Sequence, residues 1–271
     1  MAPSTQEKRA AFRALHESGC FVIPNPWDLG SARYLQSLGF KALASTSSGF
    51  AWSIGRPDYG VTRDNVLDHL TKLCAAVDLP VNADFEGGFA RDPDAVAANV
   101  RLAVATGVAG LSIEDRTGDP ASPLYEDALA LDRIRAARAA IDAEDSGVVL
   151  VARCEAFLVG LPDLDLTIAR LDAFARAGAD CLYAPGLKTK EQISAVVKAV
   201  APKPVNVIAN TAAFTVAELA ELGVRRVSVG GALARAAWTG FMRTARELAE
   251  TGSLATLDGV AGGGEINRAL A

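Results

Sequence analysis

The 271-residue chain has four cysteines, Cys20, Cys74, Cys154 and Cys181, too scattered to form a C-x-x-C pair. That rules against a disulfide scaffold or a thiolate metal clip and reads as reduced thiols of a cytoplasmic protein. Histidine is scarcer still. Both copies, His16 and His69, fall in helical patterns away from strand ends, so histidine is not expected as a general base. No apolar run reaches membrane-spanning length, and the opening MAPSTQEKRAAFRALHESG has no signal-peptide core. The net charge of −5 comes without a basic stripe, which argues against nucleic acid as a partner. No G-x-G-x-x-G turn follows the first strand pattern, so a dinucleotide-binding open sheet loses its usual mark. These absences leave a soluble intracellular protein.

Carboxylates placed at strand ends are what the chain does have. A short apolar run leads into Val81-Asn-Ala-Asp84-Phe-Glu86, and two glycines follow. Side chains two apart on a strand point to the same side, so Asp84 and Glu86 are expected to share a strand mouth. Thirty residues after Asp84, Gly110-Leu-Ser-Ile-Glu114-Asp115 repeats the arrangement. Three or four carboxylates converging there would make an oxygen-rich pocket for a hard divalent cation such as Mg²⁺, with Mn²⁺ as a substitute. A single Asp at such a place would more simply cap the next helix. Two successive strands favour the metal.

Half the residues are apolar, and the length suits one hydrophobic core. Strand and helix patterns alternate eight times without a linker, which predicts a single-domain (β/α)8 barrel over residues 1–271. A leading helix precedes it, and residues 232–271 form a C-terminal helical extension. The helix after the first strand is expected to bury Leu29, Ala32, Leu35 and Leu38. Ser45 to Gly49 reads as a small-residue loop, and Gly262 to Gly264 as part of a flexible tail. Catalytic groups of such barrels sit at the C-terminal strand ends. That rule collects Asn25, Trp27, Asp28, Thr46, Ser47, Asp84, Glu86, Glu114, Arg153 and Asn210 around one mouth. Cys154, next to Arg153 on its strand, should face the other way and pack under a helix.

The segments PNPWDLGSARYLQSLGFKAL, STSSGFAWSIGRPD, PVNADFEGGF, GVAGLSIEDRTG, VLVARCEAF and PVNVIAN, in that order, resemble the isocitrate lyase and phosphoenolpyruvate mutase superfamily along nearly the whole chain. The resemblance implies a 2-oxo acid, or a related ester or hydroxy acid, bound through Mg²⁺. It implies Asp84 as direct metal ligand, with Asp58, Glu86 and Glu114 holding metal-bound waters. The Thr46–Ser47 loop, with Ser48, would cradle the substrate carboxylate. Arg153 would support that carboxylate or the transferred group. From the strand-end rule, Trp27 and Asn210 are further candidates for the substrate site, with Trp27 either stacking beside a substrate or roofing the barrel. Glu86 stands where the family usually has Asp.

In such a site the metal stabilises an enolate as the bond beyond C3 breaks. The Lys-Lys/Arg-Cys-Gly-His loop of the isocitrate-type lyases is missing. RTGDPASPLYED stands there instead, without Cys or His, and the mutases' Lys- and Asn-containing gating loop is missing too. The expected activity is a Mg²⁺-dependent lyase that breaks a C–C bond of a small 2-oxo acid. Decarboxylation suits the missing acid, because CO₂ departs without a proton. Phosphonomutase or phosphonopyruvate hydrolase chemistry is the alternative, and a barrel that only binds a 2-oxo acid is a third reading. The loop from Arg116 to Asp127 is expected to act as a lid. Apolar positions on the helix from Ala232, and a tail without a place on the barrel, predict a homodimer or homotetramer.

Overall fold

The computed structural model describes residues 2–271, in which α1 (Thr5–Leu15) leads into eight strands. These are β1 (Phe21–Ile23), β2 (Leu43–Ala44), β3 (Val81–Asp84), β4 (Gly110–Glu114), β5 (Val149–Arg153), β6 (Cys181–Tyr183), β7 (Val205–Ile208) and β8 (Arg226–Ser228). All pair in parallel in the order β1-β8-β7-β6-β5-β4-β3-β2. The seam between β1 and β2 is bridged by Ala44 N–H donating to Pro24 C=O at 3.0 Å. The sheet is a nearly closed (β/α)8 barrel, as the alternation predicts.

Helices α2 (Leu29–Ser37), α3 (Ser47–Ser53), α4 (Arg63–Ala76), α5 (Pro93–Ala105), α6 (Asp127–Ala143), α7 (Leu164–Arg176), α8 (Lys190–Ala199) and α9 (Val216–Glu221) follow the strands in turn. Their starts are written locally. Thr62, Thr189 and Thr215 each cap through a reciprocal box, and Asp92 caps α5 with Pro93 in its first turn. Two apolar clusters result. The larger lies between sheet and helices and contains Leu70, Val100, Ile134 and Cys154. The smaller fills the lumen, where Phe12 of α1 meets Phe21, Val149, Val151 and Cys181 and closes the bottom.

Several details differ from expectation. Leu29 and Leu38 are 40% and 57% exposed, because α2 turns only Ala32 and Leu35 to the barrel. Ser47 to Ser53 is a helix rather than a loop, since Thr46 caps it and Gly49 fits where a side chain cannot: a Cβ there would lie 2.7 Å from Thr46 Cγ2 and 2.9 Å from Trp27 Cβ. The long α10 (Ala232–Thr251) buries only Ala234 and leaves its later turns exposed. The trailing segment does have a place: α11 (Gly263–Leu270), with Gly262 at its N-cap, packs on α2. Its Ile266 and Leu270 share an apolar groove with Leu35 and Leu38. Among the described residues no helix is long and apolar enough to cross a membrane.

Candidate active site

A polar cavity of about 220 Å³ opens at the C-terminal ends of the strands and runs down into the lumen. Thr46, Ser47, Ser48, Asp58, Asp84 and Arg153 line its mouth. Ser47 N–H donates to Asp84 Oδ2 at 2.9 Å, and Thr46 and Ser48 hydroxyls meet at 3.2 Å. With Asn25, which also lines the cavity, seven of the predicted residues are thus brought together.

Arg153 organises the centre. It ends β5 pointing inward, and Nη1 donates to Asp84 Oδ1 at 2.8 Å. Nη2 lies 3.3 Å from Glu114 Oε2 and 2.9 Å from Glu155 Oε1. The guanidinium is largely buried, and burial alone would lower its pKa. Glu155, Glu114 and Asp84 outweigh that and raise it. Cys154 on the opposite face is a buried thiol whose pKa burial drives far up, so it is no nucleophile. The two histidines are equally remote: His16 lies at the lumen floor and His69 stacks on Phe50 under α3.

The two β3 carboxylates do not share one cavity. Glu86 follows the strand's end in a left-handed conformation, φ +46°, which breaks the alternation that places i and i+2 side by side. It therefore lines an outer pocket of about 260 Å³ with Glu114, Arg116 and Tyr59. Tyr59, itself at φ +60°, lines both spaces. Its hydroxyl donates to Glu114 Oε1 at 3.1 Å, and Arg116 lies over its ring at 4.2 Å. As placed, no three histidine, cysteine or carboxylate side chains among the described residues enclose a common point. Arg153 and Tyr59 draw Asp84 and Glu114 to themselves, and Glu86 turns away.

The donor set nevertheless fits a hard divalent cation. Every candidate atom is a carboxylate oxygen, and Glu86 Oε1 is buried without a hydrogen-bond partner. Burial first, then the charges of Asp84 and Asp58, push the Glu86 pKa up to about 8. Burial and Asp84 likewise raise Asp58, and burial raises Glu114 well above the carboxylate range. The mutual repulsion among these crowded acids is what a bound cation would relieve.

Three predicted residues lie elsewhere, among them Asp28, whose carboxylate caps α2 beside the apolar groove. Trp27 lines the apolar groove under α11 and packs against Gly49. Asn210 is exposed, two residues past the end of β7, where the chain has already left the barrel rim. Sequence reasoning missed Glu155, Tyr59 and Arg226. The first is fully buried against Arg153, with its backbone N–H donating to Asp115 Oδ1 at 2.8 Å. Arg170 then ties Asp115 to the β4–α6 loop, bonding Asp115 Oδ2 at 3.1 Å and Tyr125 C=O at 2.8 Å.

A parallel barrel with buried acids and an arginine around a small cavity at its C-terminal face is the framework of an enzyme for a small polar substrate. The chain belongs to the phosphoenolpyruvate phosphomutase family, whose model matches residues 12–249, and so to the isocitrate lyase and phosphoenolpyruvate mutase superfamily. It is 49% identical to a Burkholderia cenocepacia J2315 protein provisionally assigned as a lyase/mutase. That crystal structure superposes with a TM-score of 0.94 over 97% of this chain and 96% of that one. Oxaloacetate decarboxylase 1 of Pseudomonas putida (strain W619) is 30% identical over 84% of this chain and 80% of its own. A crystal structure of phosphonopyruvate hydrolase in complex with oxalate and Mg²⁺ is 25% identical, with a TM-score of 0.85 over 97% of this chain and 94% of that one.

Proposed function

We propose that this protein is a Mg²⁺-dependent lyase that breaks a C–C bond of a small 2-oxo acid. The observation that carries the reading is Arg153, held by Asp84, Glu114 and Glu155 at the mouth of a cavity too small for a nucleotide-sized ligand. The family membership and the similarity to an oxaloacetate decarboxylase support the same class of substrate. Asp84 would hold the metal directly, with Glu86, Glu114 and Asp58 around it. The bound cation would supply electrophilic stabilisation of the charge that develops on the substrate.

The chain's own residues do the rest. Arg153, whose nitrogens already hold Asp84, Glu114 and Glu155, lends its charge to a substrate carboxylate that Ser47 and Ser48 contact from the start of α3. Ser47 also fixes Asp84. The Tyr59 hydroxyl, whose pKa burial raises, keeps its proton and stands between the two cavities. Assembly is part of the reading. The exposed Trp238, Phe241, Met242 and Leu248 of α10 support a homodimer or homotetramer built on that helix.

The test is turnover across oxaloacetate, substituted malates and phosphonopyruvate, with Mg²⁺ and after chelation. Mg²⁺-dependent release of a 2-oxo acid fragment from a carbon substrate is the expected result. Cleavage of phosphonopyruvate alone would move the reading to P–C chemistry, and binding without turnover would reduce the protein to a receptor.

A further inference from the structure

Arg226 is a buried cation without a counter-ion. It begins β8, points into the lumen beneath the cavity and is 3% exposed. Its Nε donates to Asn206 Oδ1 at 2.8 Å, and Nη1 reaches Asn82 Oδ1 at 3.3 Å and His16 Nε2 at 3.5 Å. His16 Nδ1 bonds Phe12 C=O at 2.8 Å, which makes Nδ1 the protonated nitrogen and leaves Nε2 as an acceptor. Burial and the nearby Arg226 lower the His16 pKa to about 3, so the ring stays neutral. All these partners are neutral. Among the described residues no carboxylate pairs with Arg226, and its second terminal nitrogen makes no hydrogen bond.

A guanidinium out of water costs free energy unless charge or hydrogen bonds replace the lost hydration. Arg133, equally buried and also without an acid, shows the complete solution. Carbonyls of Gly87, Ala90 and Arg91 accept its protons, and the Tyr125 ring covers it. Arg133 lines no cavity described above. Arg226 has a free edge, lines the cavity floor and shares it with Ser112, Asn206 and Ser228. An unbonded terminal nitrogen of a charged guanidinium, with hydroxyls and an amide around it, matches a carboxylate oxygen.

We infer that Arg226 is the receptor for a second carboxylate, so that the substrate is a 2-oxo dicarboxylate spanning the cavity from the Arg153 mouth to the Arg226 floor. This rests on the reading of the mouth as a 2-oxo acid site.

Calorimetric titration with matched pairs tests this: oxaloacetate against 2-oxobutyrate, and 2-oxoglutarate against 2-oxovalerate, each pair equal in length and differing in the terminal carboxylate. The wild-type protein should bind the diacid of at least one pair about 10- to 100-fold more tightly, the worth of a charge-assisted hydrogen bond. R226Q should erase that preference while binding the monoacid unchanged, and R226K should restore part of it. No preference in the wild type for either pair overturns the inference without any variant. So does a folded R226Q that keeps the preference. Should R226Q not fold, the wild-type preference and R226K decide. A preserved preference without turnover would overturn the lyase reading and leave the subsite standing.

Discussion

Two arginines point into this barrel, and they are opposites. Arg153 at the mouth is bound by three carboxylates, whereas Arg226 at the floor is bound by two asparagines and a neutral histidine. The same side chain is thus a structural hub in one place and a free receptor in the other. A cation inside an acid cluster fixes those acids in space and cancels their repulsion. A cation among neutral groups keeps its field for whatever enters. The barrel combines both in one cavity, with an acid-rich top and a basic floor.

The mouth is broken most severely at Asp84. D84A should abolish Mg²⁺ binding and turnover while the melting temperature stays near wild type, because Arg153 keeps Glu114 and Glu155. Calorimetry showing unchanged Mg²⁺ affinity would refute the assignment.

The arginines themselves come next. R153M leaves Glu114 and Glu155 buried without a cation, and breaking a buried pair in this way costs about 3–5 kcal/mol. R226M strands no charge and should cost roughly 1 kcal/mol, the scale of lost neutral hydrogen bonds. Urea unfolding of both variants checks the contrast. Equal losses would mean that Arg226 is as structural as Arg153.

A smaller effect concerns Glu86, on the unpaired side of the acid cluster. Its folded pKa of about 8 lies above the ordinary value of 4.5, so the native state holds a proton that the unfolded chain has released. Stability of the Mg²⁺-free protein should therefore be greatest below pH 4.5 as far as this group is concerned, and fall as pH rises to about 8. Mg²⁺ competes with the same proton, so its apparent affinity should climb over that window. E86Q should flatten both profiles. A wild-type melting temperature indifferent to pH between 5 and 8, with E86Q identical, would show that the carboxyl is ionised throughout.

What the sequence showed of this site follows from geometry. Asp84, Glu114 and Arg153 end regular strands, so position alone placed them at the mouth. Thr46 was legible as a mouth residue but not as a helix cap, because STSSG carries no helical pattern. Glu86 misled: its left-handed backbone cannot be read from two following glycines. Tyr59 and Glu155 sit past element ends in turns that fold them back. Arg226 was hidden by the strand-end rule itself, because it opens its strand. A signal existed. Asn82 and Asp84, Ser112 and Glu114, and Arg226 and Ser228 alternate polar with apolar along their strands, and that period-two pattern marks a polar lumen.

The smallest effect lies in the loop that joins β4 to α6, the outer wall of the acidic half. It is braced at its base, where Arg116 and Leu124 form a bridge and Thr117 N–H donates to Pro123 C=O at 3.0 Å. Arg170 holds Tyr125 C=O and lies 2.6 Å from the Asp127 carboxylate. The exposed tip, residues 118–122, is held only by local bonds such as Ser122 N–H to Asp119 C=O at 3.2 Å. Arg116 connects this loop to Tyr59, and Tyr59 to Glu114. A ligand that reorganises Glu114 would act on the loop through that stack, whereas one that occupies only the Arg226 floor would not. Hydrogen exchange should therefore show faster tip amides than base amides in the free protein, and slower tip exchange with Mg²⁺ and a saturating 2-oxo diacid. In the Y59F variant the tip should respond less, because the phenol no longer reaches Glu114. Equal tip protection with and without ligand would detach the loop from the site and leave it as plain surface.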